Sequence, residues 1–377
     1  MEKSKKIYMD YAASISPNPS SIHSVGVEAK KKLENSRKKC ANILGTQPRN
    51  IIFTSSGTES NNLAIQGIVF SWFQNNNKNL PHLITTNIEH SSVLETFKML
   101  EKRKLAQITI VPVEPNGIVD PEKIKKEIKK NTVLVSVMYA NNEIGTIQPL
   151  REIAKEVRFY RKTTSQPYPF FHTDAVQAVN YLDLNVEKLG IDLLSLSGSK
   201  IEGAGKVGML YKKNNVPLVN IFGGGDQEMG FRPSTENLSE IIKFASALEL
   251  VGKIKEKENK RLLKLRGYFI KKLLNLNPGI KINGDLENRL PNNINITIPK
   301  IPSDLLVIEL SAKGIYVSEK SACKSGDKGG SYVIEAISPL QKGSLRFSLG
   351  RKTTKTDIDY TIKSLKEILK KLKKWYT

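Results

Sequence analysis

Cysteine is scarce in this sequence of 377 residues, which has two, Cys40 and Cys323. So few cysteines exclude a disulfide-stapled scaffold and suit a reducing compartment. The sequence also lacks any run of about 18 apolar residues, so no membrane span is expected. The basic start has no apolar stretch behind it, unlike a secretory signal. Together these absences predict a cytoplasmic protein.

Histidine is scarce as well, with four scattered residues, and without a His/Cys cluster no metal site is expected. Basic residues are abundant: 59 Lys and Arg against 37 Asp and Glu give a formal net charge of +22. The lysines are spread along helical segments without interleaved aromatic residues. A general preference for lysine explains them, so nucleic acid is not expected as a direct partner. Transient contact with an acidic protein or RNA is left open.

Short apolar runs alternate with segments of helical period along the chain. Strands are predicted at 51–54, 82–86, 107–113, 133–138, 169–173, 191–196, 293–298 and 343–349. Helices are predicted at 28–44, 61–73, 93–102, 122–130, 150–162, 239–274 with a break near Gly252, 303–313 and 357–373. The alternation predicts an α/β fold with a mostly parallel sheet between helices. We expect a large domain at 11–250 and a smaller α/β domain at 251–377, which the segment 1–10 joins.

Two apolar runs within 170–208 end in polar residues, the first at Asp174 and the second just before Lys200. Ligands of α/β sheets bind beyond the carboxyl ends of the strands, so both side chains belong at one rim. A carboxylate for a pyridinium nitrogen and an amine for a Schiff base are what pyridoxal phosphate (PLP) requires. A lone lysine after a strand is more often ordinary surface. The PLP hypothesis therefore needs a phosphate site, a ring-stacking group and a substrate anchor elsewhere.

Candidates for these parts occur at other strand ends. Gly57 and Thr58 lie in a turn of small residues that leads into a helix, which is either an anion site or an ordinary helix cap. His90 follows the next strand, where it is either polar surface or a ring that stacks on a cofactor. Asn142 belongs to a polar group beyond a further strand, which a ligand or a turn would have to order.

The two cysteines differ in their surroundings. Cys40 lies on the apolar face of helix 28–44 and is interpreted as a small buried hydrophobic residue. Cys323 lies in the Gly-rich polar loop 317–331. Three neighbouring lysines would favour its thiolate, which is the nucleophilic form: Lys320, Lys324 and Lys328.

Nine motifs follow one another along nearly the whole chain: DYAA at 10–13, NPSSIHS at 18–24, FTSSGTESNN at 53–62, EH at 89–90, NNEIG at 141–145, HTDAVQ at 172–177, RPSTEN at 232–237, SAC at 321–323 and RFSLGR at 346–351. In this order they resemble the cysteine desulfurases of the class V aminotransferase family, which have the fold type I architecture of PLP enzymes. The resemblance implies that the large domain binds PLP through a mixed sheet.

The resemblance also implies roles for individual residues. Lys200 would hold PLP through a Schiff base and move protons at the substrate, and His90 would stack on the ring. The other implied contacts with the cofactor come from Asp174 at the ring nitrogen, Gln177 at the phenolic oxygen, Asn142, and Gly57, Thr58, Ser197 and Ser199 near the phosphate. Thr235 would reach the phosphate in the partner subunit of a homodimer.

The substrate implied is L-cysteine. Arg346 would bind its carboxylate and Asn142 would touch it, while Cys323 would take its sulfur as a persulfide and leave L-alanine. The persulfide would pass to an acceptor protein for iron–sulfur cluster assembly, tRNA thiolation or both. The loop after Cys323 looks like that of the long-loop subgroup that serves iron–sulfur scaffolds.

The sequence departs from the family pattern at three places. Ser199 replaces the usual His before the Schiff-base lysine, the segment between Ala13 and Asn18 is short, and Glu319 and Lys320 replace small residues. Two alternatives to the cysteine desulfurase stay open. One is another PLP lyase or transaminase of this fold, such as a selenocysteine lyase. The other is a sulfur-assembly scaffold with weakened or lost catalysis.

Overall fold

The computed structural model describes residues 7–75, 79–319, 330–341, 343–372 and 374. Its α-helices are α1 Ser24–Leu44, α2 Gly57–Gln74, α3 Ser91–Lys102, α4 Pro121–Glu127, α5 Leu150–Thr164, α6 Val186–Leu189, α7 Leu238–Leu276, α8 Ser303–Ser311, α9 Tyr332–Ile337 and α10 Lys355–Leu372. Its strands are β1 Ile51–Thr54, β2 His82–Thr86, β3 Gln107–Val111, β4 Thr132–Ser136, β5 Phe170–Asp174, β6 Leu193–Ser197, β7 Gly208–Lys212, β8 Lys281–Ile282, β9 Asn293–Thr297 and β10 Leu345–Ser348. None of these helices combines the length and apolar character that a membrane span requires.

Seven strands form the large sheet in the order β1-β7-β6-β5-β4-β2-β3. Strand β7 runs antiparallel to both of its neighbours, and the other pairs are parallel. Every residue of β4, β5 and β6 is buried, because helices cover both faces of the sheet. The prediction of an α/β fold with a mostly parallel mixed sheet is confirmed.

Successive residues of the central strands point to opposite faces, which gives the sheet two cores. Phe171 faces a core that also includes residues of α1, α5 and α7. Its neighbour Phe170 faces the other core, which α2 and α3 complete. Cys40 belongs to the first core and is fully buried, as predicted, and burial raises the pKa of its thiol to about 12.

A second, three-stranded antiparallel sheet has the order β10-β9-β8. It shares a separate core with α8, α10 and the second half of α7, in which Phe269 packs edge-on against Phe347 at a ring separation of 5.0 Å. The predicted domain boundary between residues 250 and 251 falls inside α7 and stays a prediction. Of the joining segment 1–10, the structure describes residues 7–10.

The predicted break near Gly252 is wrong, because α7 continues without interruption from Leu238 to Leu276. One glycine costs a helix about 1 kcal/mol relative to alanine. Buried apolar residues on both sides of it, such as Leu248 and Leu262, hold the helix against the two cores and outweigh that cost.

Candidate active site

A cleft of about 450 Å³ lies beyond the carboxyl ends of β4, β5 and β6, at the beginnings of α2 and α3. Parallel strands bring their polar C-terminal residues together at this edge. Sequence-predicted site residues that line the cleft are Gly57, Thr58, His90, Asn142, Asp174, Gln177, Ser197, Ser199, Lys200 and Arg346. Thr235 lines a separate small pocket with Ser55 and Arg232. Cys323 and its three neighbouring lysines lie outside the described residues.

Asp174 is the last residue of β5, and its side chain is held in a fixed orientation. The Val176 N–H donates to Oδ1 at 3.0 Å, and Asn61 Nδ2 donates to Oδ2 at 2.7 Å. Asp174 is 6% exposed, so its carboxylate lies at the floor of the cleft. A carboxylate fixed in this way can accept the N–H of a protonated ring nitrogen.

Asn61 connects this carboxylate to His90. Its Nδ2 atom also lies 2.8 Å from Ser92 Oγ, which in turn lies 2.8 Å from His90 Nδ1. The Ser92 N–H donates to the same Nδ1 at 3.2 Å, so the neutral imidazole carries its proton on Nε2. Asn61 received no role from the sequence. Its signals were its place in the motif FTSSGTESNN and its position one helical turn after Gly57, on the same side of α2.

The beginning of α2 offers backbone donors to an anion. The helix begins at Gly57, four residues earlier than predicted, and Ser56 caps it by accepting the Glu59 N–H at 3.2 Å. First-turn N–H groups have no partner within their own helix and lie at the positive end of its dipole. A Cβ at residue 57 would come within 2.9 Å of Val176 Cγ2, so glycine is required for close packing here.

Two hydroxyls stand opposite this helix end. Ser197 Oγ and Ser199 Oγ are 2.9 Å apart at the end of β6. Lys200 follows in a short 3₁₀ turn, where its side chain is exposed to the cleft and its carbonyl accepts Asn180 Nδ2 at 2.6 Å. The sharp turn at Gly198 has no room for a side chain, since a Cβ there would lie 2.8 Å from the Gly205 carbonyl oxygen.

Arg346 comes from the small sheet and closes the cleft from the other side. Its Nη1 donates to the Asn142 carbonyl oxygen at 2.9 Å. Burial lowers the pKa of the guanidinium and the nearby Glu143 carboxylate opposes that shift, but arginine stays charged. Asn142 Oδ1 is buried and has no hydrogen-bond partner within the described part of the chain. The pair thus offers a cation and an acceptor to a ligand.

Glu89 lies behind His90 and was also given no role from the sequence. Its Oε1 accepts Thr86 Oγ1 at 2.7 Å and the Met138 N–H at 2.9 Å. Complete burial, with a smaller contribution from the charge of Asp174, raises the pKa of this carboxyl to about 8. Glu89 therefore stays largely protonated near neutral pH.

The described residues on both sides of 320–329 are attached to the site. Ser318 and Arg346 exchange backbone hydrogen bonds of 3.3 and 2.7 Å. After the gap, Ser331 Oγ donates to Glu143 Oε2 at 2.5 Å and the Tyr332 hydroxyl donates to the Glu89 carbonyl oxygen at 2.5 Å. The described residues that flank 320–329 thus contact Arg346, which lines the cleft, and Glu143 and Glu89, which are sequence neighbours of the lining residues Asn142 and His90.

The residues present fit PLP. Asp174 suits its ring nitrogen, the start of α2 and the two serine hydroxyls suit its phosphate, and Lys200 supplies the amine. The unpartnered Asn142 Oδ1 adds an acceptor that a ligand would satisfy. Across the ranges that the structure describes, no three His, Cys, Asp or Glu side chains come together as a metal site would require.

Comparison with known proteins places these features in a family. The family model described as "Aminotransferase class-V" matches residues 1–361. The cysteine desulfurase IscS of Dictyoglomus turgidum is 40% identical over 98% of this chain and 96% of its own length. That of Methanosarcina thermophila is 42% identical over 94% of this chain and 86% of its own.

Solved structures of similar proteins support the same family assignment. One of a NifS-like protein has a TM-score of 0.85 and 35% identity, and covers 94% of this chain and 92% of its own. A structure of SspA in complex with cysteine has a TM-score of 0.74 and 30% identity, and covers 88% of this chain and 90% of its own. The chain therefore belongs to the class V aminotransferase family and, within it, to the cysteine desulfurases, as its motifs predicted.

Proposed function

We propose that this protein is a PLP-dependent cysteine desulfurase that converts L-cysteine into L-alanine and keeps the sulfur as a persulfide on Cys323. The observation that carries the proposal is the meeting of Lys200, Asp174 and Arg346 in one cleft, although they come from three different elements. An amine, a carboxylate and a guanidinium so arranged suit an amino acid bound next to PLP. The relatives named cysteine desulfurase support the same reaction.

PLP, when bound, supplies an electron sink for the charge that develops on the substrate carbon atoms. Asp174 would orient the ring through its nitrogen, and His90 would cover one face of it. Lys200 would hold the group and then take and return a proton at the substrate α-carbon. Arg346 would fix the substrate carboxylate with two parallel N–H donors, which also fixes the direction of the substrate side chain.

The sulfur transfer itself would be carried out by Cys323. Its thiolate would attack the sulfur of the bound cysteine, forming a sulfur–sulfur bond while the substrate carbon–sulfur bond breaks. The electron pair of the broken bond stays with the substrate carbon, which takes up a proton and becomes the methyl group of alanine. One L-cysteine and one thiol thus give L-alanine and one persulfide, without any further oxidant or reductant.

Two partners belong to this proposal. A second copy of the chain would bring its Thr235 to the phosphate, because in a single chain Thr235 lines a pocket apart from Lys200. An acceptor protein, such as an iron–sulfur scaffold, would remove the persulfide sulfur.

The reaction is tested with purified protein, PLP, L-cysteine and a reductant, by measuring alanine and sulfide together. We expect equal amounts of both from the parent and a loss of sulfide in Cys323→Ala. Cys40→Ala is the matched control, since it removes the other thiol, which is buried far from water. Sulfide release from Cys323→Ala at the parent rate would disprove the persulfide step.

Cofactor binding is tested separately by absorbance. The PLP-loaded parent should be yellow and should bleach on borohydride reduction, whereas Lys200→Ala should hold PLP without a reducible bond. A colourless parent that binds no added PLP would support the scaffold alternative, which Ser199 motivates. The PLP affinity of Ser199→His, which restores the usual family residue, should then be compared with that of the parent.

A further inference from the structure

A second amide side chain stands beside Arg346 in the cleft. Asn292 lies directly before β9 and lines the same cleft as Lys200 and Arg346. Its Oδ1 atom is buried and, among the residues that the structure describes, has no hydrogen-bond partner. A buried acceptor without a partner costs free energy unless a ligand or a water satisfies it.

The position of Asn292 is fixed from two sides. Its carbonyl oxygen accepts the Leu349 N–H at 2.8 Å, which ties it to the end of β10. The turn before it is held by the Leu290 N–H, which donates to the Gly145 carbonyl oxygen at 2.9 Å. The side-chain amide also bonds the Tyr181 hydroxyl and thereby opposes the rise in the pKa of that phenol. Because Oδ1 has no partner among the described residues, Nδ2 makes this bond and Oδ1 is left for the cleft.

A neighbouring asparagine shows what a purely structural role looks like here. Asn141 Oδ1 accepts the N–H groups of Glu143 and Ile144 at 2.8 and 2.9 Å, and its Nδ2 donates to the Ile88 carbonyl oxygen at 2.9 Å. Each end of that amide supports a turn of the backbone. Asn292 Oδ1 supports nothing in the described fold, so its acceptor is available to a ligand.

The chemistry of the cleft selects the kind of ligand group. The Arg346 guanidinium has only donors and suits a carboxylate, whereas the orphan oxygens of Asn142 and Asn292 suit donors. An α-amino acid with a thiol carries both kinds: a carboxylate, an ammonium group and an S–H. We propose that Asn292 Oδ1 accepts a hydrogen bond from the ammonium or the thiol of the bound amino acid. This proposal rests on the proposed function, because it takes L-cysteine as the substrate.

The test compares Asn292→Leu, which keeps the size of the side chain and removes the acceptor, with the PLP-loaded parent. The affinity for three ligands is measured. L-cysteine is followed by its KM and L-alanine by spectral titration. The third ligand, 3-mercaptopropionate, lacks the ammonium group and is followed by competition with L-cysteine. A hydrogen bond from a charged donor is worth about a ten- to hundredfold change in affinity. Asn288→Leu is the matched control, because Asn288 is exposed on the same loop.

If the ammonium is the donor, Asn292→Leu weakens the binding of L-cysteine and L-alanine and leaves 3-mercaptopropionate unchanged. If the thiol is the donor, L-cysteine and 3-mercaptopropionate weaken and L-alanine does not. Tyr181→Phe, which removes the partner of Nδ2 alone, should have a smaller effect in either case. If the melting temperature of Asn292→Leu is well below that of the parent, the same affinities are measured for Asn292→Ala instead.

Unchanged affinity for all three ligands, in a preparation whose parent forms alanine from L-cysteine, would overturn the role of Asn292 and leave the proposed function intact. A parent that forms no alanine would show instead that the proposed function itself is wrong. The role of Asn292 would then be wrong as well, because it depends on L-cysteine as the substrate.

Discussion

At the scale of single residues, one amide nitrogen joins the two groups that would hold the ring of the cofactor. Asn61 Nδ2 donates one hydrogen towards Asp174 and the other towards Ser92, which bonds His90. Asn61 is almost completely buried, so water cannot replace it. The orientations of the carboxylate and the imidazole therefore both depend on a residue of α2.

Replacing Asn61 by leucine should weaken the binding of PLP by about tenfold or more, because a hydrogen bond to a charged group contributes roughly 1.5–3 kcal/mol. The measurement is an absorbance titration of the apoprotein with PLP. Asn62→Leu is the control, since the Asn62 side chain bonds Thr96, Gln66 and the Thr58 carbonyl oxygen and makes no hydrogen bond to Asp174. Equal PLP affinity of Asn61→Leu and the parent would contradict the orienting role.

Glu89 gives a prediction on pH. Its pKa rises from 4.5 to about 8 in the folded protein, so folding favours the protonated form. Its contribution to stability is therefore complete below about pH 4.5 and is lost as the pH rises towards 8, at up to about 1.4 kcal/mol per pH unit. Glu89→Gln should lack this component of the pH dependence, because it cannot ionise.

The measurement is the free energy of urea unfolding at several pH values between 5 and 8 (roughly the window set by the two pKa values). The difference between Glu89→Gln and the parent should move in favour of the variant as the pH rises. A difference that stays constant across the window would show that Glu89 does not titrate there.

At the scale of elements, six of the seven strands of the large sheet were predicted, because strands buried on both faces, such as β4, β5 and β6, are short continuous apolar runs. β7 was not predicted as a strand, because its five residues begin with glycine and end with lysine and so lack a continuous apolar run. The start of α2 was placed four residues late, because small polar residues there resemble a loop and serve as the first helical turn.

The site was predictable to the extent that it lies at strand ends. Asp174 and Lys200 follow apolar runs, and that position alone indicated a common rim. Asn61, Glu89 and Asn292 were missed because their roles come from contacts between distant parts of the chain. The break predicted in α7 failed for a related reason, since the packing that overrides Gly252 involves two separate cores.

Gly252→Ala should stabilise the protein by about 0.5–1 kcal/mol, because Gly252 lies inside α7 and a Cβ there meets no described atom within 4 Å. Gly267→Ala lies in the same helix, and a Cβ there also meets no described atom within 4 Å, so this change should raise the stability by a similar amount. Thermal or urea unfolding measures both.

Gly208→Ala is the opposite control. A Cβ at residue 208 would come within 2.2 Å of the Ser56 carbonyl oxygen, so this change should destabilise the protein. If Gly252→Ala also lowered stability, the expectation that this glycine costs α7 free energy relative to alanine would be wrong.

At the scale of the whole molecule, each active site is expected to draw on two chains. Glu59 Oε1 and Arg232 Nε form an ion pair of 2.8 Å, which holds the segment before Thr235 close to the start of α2. Thr235 is exposed in the single chain and lines a pocket apart from the cleft of Lys200. An exposed residue at this position is accessible to a neighbouring subunit.

Mixed dimers test this expectation. Lys200→Ala lacks the amine, and in the proposed dimer Thr235→Glu would place a negative charge against the phosphate, so each variant alone should be nearly inactive. If Thr235 acts on the partner's site, a mixed dimer collects both defects in one site and leaves the other intact. Denaturing and refolding an equal mixture should then restore roughly a quarter of the parent activity, since about half of randomly formed dimers are mixed. If mixed dimers form, as two affinity tags can establish, and remain inactive, then Thr235 serves the site of its own chain.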